Sequence, residues 1–261
     1  MIRVTVWNEN IHDREVQEVK DLYPLGIHGT LAAYLNTLEG VEARTATLEQ
    51  PECGLPDEVL NNTDVMIWWG HCGHHLVPDE LARKVADRVL GGMGLIVLHS
   101  GHYSKPFRLL MGTTCSLRWR DGDFERMWCM NPGHPIAEGV PAWFELEKEE
   151  MYGEHFDIPN PDEIVFGGEF FDVPQPDEVV FTGWFRGGEL FRSGCCWHRG
   201  AGKVFYFQPG HETNPSYHNP HVLKIIGNAV KWAAPANWRT TLECFHTELT
   251  TEELSAAGRG D

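Results

Sequence analysis

Short apolar runs of strand length recur along the chain with helical segments between them, and this alternation narrows the possible folds more than any other feature. Residues 2–7, Ile-Arg-Val-Thr-Val-Trp, read as a buried strand, and residues 29–38 carry apolar side chains at helical spacing. Val41–Thr47 and residues 64–69 give two further strands, the latter followed by an amphipathic helix over 78–90. Gly94–Leu98 is a continuous apolar strand that stops at His99-Ser-Gly-His102, and Lys105–Met111 reads as a short helix. Residues 203–207 form another strand, and Pro220–Ala233 an amphipathic helix with Pro in its first turn. Repeated βα units predict an α/β fold with a doubly wound, mainly parallel sheet of flavodoxin-like type. One domain over 1–234 is expected, with a polar tail over 235–261.

Composition bounds the function. A chain of 261 residues, 42% hydrophobic, suffices for one large core. Its formal charge of −17 disfavours nucleic acid and anionic membrane surfaces, which need clustered Lys and Arg. No apolar run approaches the roughly 20 residues of a spanning helix. Seven cysteines, an odd number, and a strand that begins directly after Met1 point to a reducing cytoplasm. Fourteen histidines and ten tryptophans in an acidic chain favour a small-molecule site. Trp119, Trp128, Trp143 and Trp184 exceed what one core hides, so an aromatic patch and a homo-oligomer are expected.

One tandem repeat stands out: ten of fifteen positions match between residues 156–170 and 171–185. Two copies cannot build a solenoid. The repeat reads as a turn and strand added at the sheet margin, and removing 171–185 is expected to leave the fold intact.

In an open α/β sheet, ligands sit beyond the carboxyl ends of the strands. Here those ends carry Asn8-Glu9-Asn10 with His12, then His71-Cys72-Gly73-His74-His75, then His99-Ser100-Gly101-His102, and finally His211-Glu212. A lone histidine is more often structural, which is the reading for His12, His28, His134, His198 and His221. The convergence of His71, His99, His102 and His211 is what points to chemistry. A divalent ion, zinc or manganese, needs three or four imidazole or carboxylate ligands, and His71, His102 and His211 are the expected set. No His-Glu-x-x-His or Cys-x-x-Cys motif is present, and Cys72 is expected to pack rather than ligate. Among Glu149, Glu150 and Glu154, held beside Met151 and Tyr152, one acid is expected to face the pocket. Glu150, His99, Tyr152 and Glu9 are the candidate catalytic residues.

The strand–turn–helix at His99-Ser-Gly, with Pro209-Gly-His-Glu212 downstream, resembles the class I glutamine amidotransferase scaffold, although a histidine stands where that superfamily has its cysteine nucleophile. Glutaminase chemistry is therefore not expected. The chain resembles more closely the trehalose-utilisation (ThuA-like) family, through Val6-Trp-Asn-Glu9, Tyr23-Pro-Leu-Gly-Ile-His28, Trp68-Trp-Gly-His-Cys-Gly-His-His75, Leu98-His-Ser-Gly-His-Tyr-Ser-Lys105, Asn131-Pro-Gly-His-Pro-Ile136, Glu150-Met-Tyr-Gly153 and Pro209-Gly-His-Glu212. That resemblance implies catabolism of trehalose and related disaccharides, alongside oxidoreductases that make 3-keto sugars. A metal-assisted enzyme acting on a keto-disaccharide or glycoside is the leading expectation. The other is a non-catalytic sugar-binding or regulatory protein on the same scaffold.

Overall fold

The computed structural model describes residues 1–159, the backbone of 178–185, residues 190–243, and residues 250, 252 and 253. Strands β1 (Ile2–Asn8), β2 (Val41–Thr47), β3 (Val65–Trp69) and β4 (Gly94–Leu98) fall where the apolar runs place them. Helices α1 (Ile11–Glu15), α2 (Gln17–Leu22), α3 (Gly26–Leu35), α4 (Asp57–Asn61), α5 (Asp79–Gly91) and α6 (Lys105–Met111) lie between or just after them. Strands β5 (Arg118–Cys129), β6 (Trp143–Gly153), β7 (Glu178–Phe185), β8 (Leu190–Arg199) and β9 (Gly202–Phe207) follow, and helix α7 (Pro220–Ala233) comes after β9.

The described strands form one nine-stranded sheet in the order β2-β1-β3-β4-β9-β8-β7-β5-β6. Strands β2, β1, β3, β4 and β9 pair parallel, as the βα alternation requires. Beyond β9 the pairing turns antiparallel through β8, β7, β5 and β6. This antiparallel extension was not anticipated, because β5 and β6 are rich in charge: in β6 Phe144 and Leu146 alternate with exposed residues, and the buried stretch 149–153 opens on two glutamates.

Apolar side chains fill both faces of the parallel half. On one face Val4, Val6, Ile67, Ile96 and Phe205 meet α3 and α7 through Leu31, Leu35, Ile226 and Val230. On the other, Trp68, Leu95, Val97 and Tyr206 meet α5 and α6 through Val85, Val89 and Phe107. Trp7 stacks on Trp68 with ring centroids 3.9 Å apart. Helix α3 starts three residues before its expected position because the Asp13 carboxylate accepts from Ile27 N at 2.7 Å, satisfying an amide that the helix start leaves open. After α7 the chain runs back over α5: Arg239 N donates to Gly91 O at 2.7 Å and Arg88 lies over the Trp238 ring.

The strand of the second repeat copy is not at the margin. It is β7, paired on one side to β8 and on the other to β5, so it attaches the β5–β6 hairpin to the rest of the sheet. The corresponding segment of the first copy, 163–170, lies outside the described residues. Deleting 171–185 is nevertheless expected to preserve folding, because Glu-Ile-Val-Phe-Gly-Gly-Glu-Phe of 163–170 can enter the sheet in place of β7. The expected thermal transition is single and within roughly 5 °C of the parent. Deleting 160–185 removes both strand sequences and is expected to abolish the single transition in circular dichroism melts.

Candidate active site

The carboxyl ends of β1, β3, β4 and β9 face the buried end of β6, and a cleft of about 480 Å³ lies between them. Its lining includes His71, His74, His102, Glu150, Tyr152 and His211. Two buried carboxylates shape it from behind. Glu9 accepts from the backbone amides of His71 (2.7 Å), Cys72 (2.9 Å) and Gly73 (2.8 Å). Its charge is thereby committed to fixing the loop after β3, and Glu9 does not line the cleft. Glu149 accepts from Gly210 N at 3.0 Å, His211 N at 3.3 Å, Asn214 Nδ2 at 3.1 Å and the Ser216 hydroxyl, fixing the loop after β9. Only glycine fits at position 210, where φ is +126° and a Cβ would lie 2.0 Å from the Tyr217 hydroxyl.

Successive strand side chains point to opposite faces, so Glu149 addresses that loop while Glu150 addresses the cleft. Glu150 Oε2 lies 2.9 Å from His99 Nε2. His99 sits at the tip of the turn after β4 with φ of +50°, a left-handed conformation that costs a non-glycine residue about 1–3 kcal/mol. The carbonyl of Gln208 can only accept, so His99 Nδ1 donates to it at 2.8 Å and leaves Nε2 for Glu150 and for the Tyr152 hydroxyl at 3.2 Å. Burial opposes charge on His99, but the hydrogen bond and attraction from Glu150 outweigh it and raise its pKa. Glu150 is shifted the opposite way: burial would raise its pKa, and the bond to His99 holds it below the usual range. His99 is fully buried and stands behind Glu150 and Tyr152, which do line the cleft. Burial, then Glu150, push the Tyr152 hydroxyl well up, so it stays protonated.

His102 is set differently. Its Nδ1 donates to the Cys115 carbonyl at 2.6 Å, and burial pushes its pKa down to about 3. The ring is therefore neutral with a bare Nε2. His74 is likewise lowered by burial, to about 4. Around β9 the buried Glu212 takes two imidazoles on Oε1, from His71 at 3.0 Å and His12 at 2.7 Å, with His211 Nε2 3.6 Å from Oε2. Burial opposes the Glu212 charge, yet His71 and His211 hold its pKa far below the usual carboxylate range.

The expected metal trio needs correction. His71, His102 and His211 share the cleft wall, but the groupings of ligand atoms within 4.8 Å of one another among the described residues are His12, His71 and Glu212, and Asp121, Glu150 and His211. His102 belongs to neither. His12, read as structural, lies beside Glu212 because Asn10, at φ of +57°, opens α1 immediately after β1. Of the other acids, Glu154 pairs with Arg192 at 2.7 Å. Cys72 Sγ donates to Glu9 at 3.2 Å, and burial pushes its pKa up to about 12. Sequence reasoning missed Trp119 and Asp121, which reach the cleft from β5; the Asp-Gly-Asp turn signal of 121–123 was the available clue.

A sequence model of the trehalose-utilisation family, ThuA, matches residues 3–233. The chain belongs to the ThuA family. Solved structures agree on the fold. A ThuA-like protein from Bacteroides uniformis superposes with a TM-score of 0.59 at 14% identity, covering 88% of this chain and 90% of its own. One from Parabacteroides merdae gives 0.59 at 14% identity, covering 95% and 96%. A cytoplasmic protein of Salmonella typhimurium gives 0.58 at 13% identity, covering 90% and 100%. A search of curated proteins finds no match. No helix among the described residues is long and apolar enough to cross a membrane.

Two predictions test this ThuA site. Replacing Glu149 by Gln takes the charge from a buried acceptor of several hydrogen bonds, and is expected to lower stability by about 2–4 kcal/mol in urea titrations. The His99–Glu150 pair predicts a pH window. The lowered Glu150 pKa stabilises above its unfolded value of roughly 4.3 and is lost as pH falls through the folded one; the raised His99 pKa stabilises below roughly 6.5 and is lost as pH rises through the folded one. The stability gap between parent and Glu150→Gln should therefore be widest between those values and narrower at roughly pH 9.

Proposed function

We propose that this ThuA protein is a sugar-processing enzyme that moves a proton on a carbon next to a sugar carbonyl, with a 3-keto disaccharide such as 3-keto-trehalose as substrate. The observation that carries this reading is the buried relay of His99, Glu150 and Tyr152, whose outer two members face a cleft large enough for a disaccharide. Glu150, ionised through His99, is the base that takes the C–H proton; the protonated Tyr152 donates a hydrogen bond to the oxygen on which charge develops. His99 is a positioning residue, since it meets Glu150 and not the cleft. His102 presents its bare Nε2 as an acceptor for a sugar hydroxyl, and the buried Ser100 Oγ, which has no partner, supplies a second polar contact. Trp119, 63% exposed at the cleft mouth, offers an apolar face for a pyranose ring.

A divalent ion, zinc or manganese, is part of this reading, and when bound among the histidines it would polarise the carbonyl and acidify the adjacent C–H. The buried Glu212 Oε2, which has no hydrogen-bond partner, fits such an ion. A cytoplasmic location accords with the Salmonella relative's name and with the six described cysteines being free. Self-association is assigned to the exposed Trp128–Trp143 pair bridged by Arg126; sedimentation of Trp143→Ala against the parent checks it.

The test is turnover of 3-keto-trehalose compared with trehalose. Glu150→Gln is expected to lower kcat by about 10²–10⁴-fold with KM little changed, and the keto sugar to be turned over where trehalose is not. His99→Gln is expected to shift the acid limb of the pH–rate profile upward, because Glu150 loses the partner that keeps it ionised. Tight binding of either sugar without turnover would instead establish a non-catalytic sugar-binding protein.

A further inference from the structure

We infer that His12, His71 and Glu212 form the resident divalent-cation site of this protein, at the rim of the cleft, and that His102 is not one of its ligands. The inference deepens the proposed function by locating its ion, but it stands on the geometry of three strand ends and is tested without reference to turnover.

The first observation is convergence. His12 enters from the turn after β1, His71 from the loop after β3 and Glu212 from the loop after β9, and their ligand atoms lie within 4.8 Å of one another. Both imidazoles turn Nδ1 toward one carboxylate oxygen, at 2.7 and 3.0 Å. Three elements distant in sequence bring two nitrogens and an oxygen to one point, which is the minimum protein ligand set of an open zinc or manganese site.

The second observation concerns charge. The Glu212 side chain is 4% exposed, and its Oε2 has no hydrogen-bond partner. A buried carboxylate oxygen without a donor is costly. Among the described residues Glu212 pairs with three histidines and with no Lys or Arg. The neighbouring acid, Glu9, is also buried and is met by backbone amides and the Cys72 thiol rather than by a cation. A divalent ion would satisfy that oxygen and bring permanent charge to a corner whose described cationic partners are imidazoles alone.

The third observation is rigidity. Glu9 holds the backbone of His71 by accepting a hydrogen bond from its amide, and Glu149 holds His211 beside Glu212 in the same way. On the other side of the cluster, Asn8 Oδ1 accepts from Asn10 N at 2.8 Å and fixes the turn that carries His12. Ligands set in advance in this way bind an ion without ordering a loop first. The His12 and His71 side chains are 27% and 30% exposed, so an ion can enter and keep an open coordination position toward the cleft. His102 lies outside this grouping.

The experiment measures zinc and manganese stoichiometry by elemental analysis and affinity by chelator competition, on the full-length protein and four variants: His12→Ala, His71→Ala, Glu212→Gln and His102→Ala. One ion per chain is expected for the parent. Each of the first three variants should weaken zinc affinity by at least about 10–100-fold, while His102→Ala changes it by less than about threefold. The visible spectrum of the cobalt-substituted parent should change on His12→Ala and not on His102→Ala. Circular dichroism confirms folding, and His12→Gln, which keeps the side-chain bulk, replaces His12→Ala if the latter is unfolded. A parent that binds no ion stoichiometrically overturns the inference, as does a folded His12 variant with unchanged affinity or a His102→Ala loss equal to that of His12→Ala. Stoichiometric zinc that depends on His12, in a protein that turns over no keto sugar, would sustain this site while ending the proposed reaction.

Discussion

Two buried carboxylates that have no Lys or Arg among their described partners hold this site together. Glu9 and Glu149 each satisfy a fan of backbone amides, in one case the loop after β3 and in the other the loop after β9. Charge-assisted hydrogen bonds of this kind are stronger than neutral ones, and here they act on irregular backbone that no sheet partner would otherwise fix. Each side chain that reaches the cleft from those loops, His71 and His211 among them, inherits its position from an acid that does not itself reach it. Both acids are thus structural in their contacts, although they sit among groups with chemistry.

The elbow after β4 applies the same logic to a single residue. His99 occupies a left-handed backbone conformation, and its ring is gripped at both nitrogens, by Gln208 O and by Glu150. Strain of about 1–3 kcal/mol persists only where the surroundings over-determine it. The consequence is that a group at the sharpest turn of the sheet faces inward, toward Glu150, and the surface of the cleft is left to Glu150 and Tyr152.

How much of this was legible in sequence follows from which signals are local. The parallel half could be read because a strand buried on both faces is a continuous apolar run, as in Val65–Trp69 and Gly94–Leu98. Its strand ends could be read for the same reason: His71, His102 and His211, named there, line the cleft, and His99 stands behind it. Strands β5 and β6 were not legible, since Arg118–Cys129 and Trp143–Gly153 carry charges on an exposed face and bulges in their pairing. Glu150 was chosen from sequence among three acids, and the strand supplies the physical reason, because alternation decides which of two adjacent glutamates faces the cleft. The surroundings of His12 and His102 were not legible for a further reason: their hydrogen-bond partners, Glu212 and Cys115 O, are 200 and 13 residues away respectively.

The sheet's change of direction at β9 also divides the labour of the site. The parallel strands deliver histidines, and the antiparallel extension delivers Glu150, Tyr152 and, from β5, Trp119 and Asp121. A parallel strand end is fixed by crossover helices on both faces and tolerates little change, whereas an antiparallel hairpin can be lengthened or replaced without rewiring the core. The tandem repeat falls in the second half, and its strand β7 carries the hairpin that contributes those groups. Variation in β5 to β7 would therefore alter what the cleft accepts while leaving the histidine wall in place. In that division the parallel half supplies the histidines of the cleft and the antiparallel half shapes its other wall.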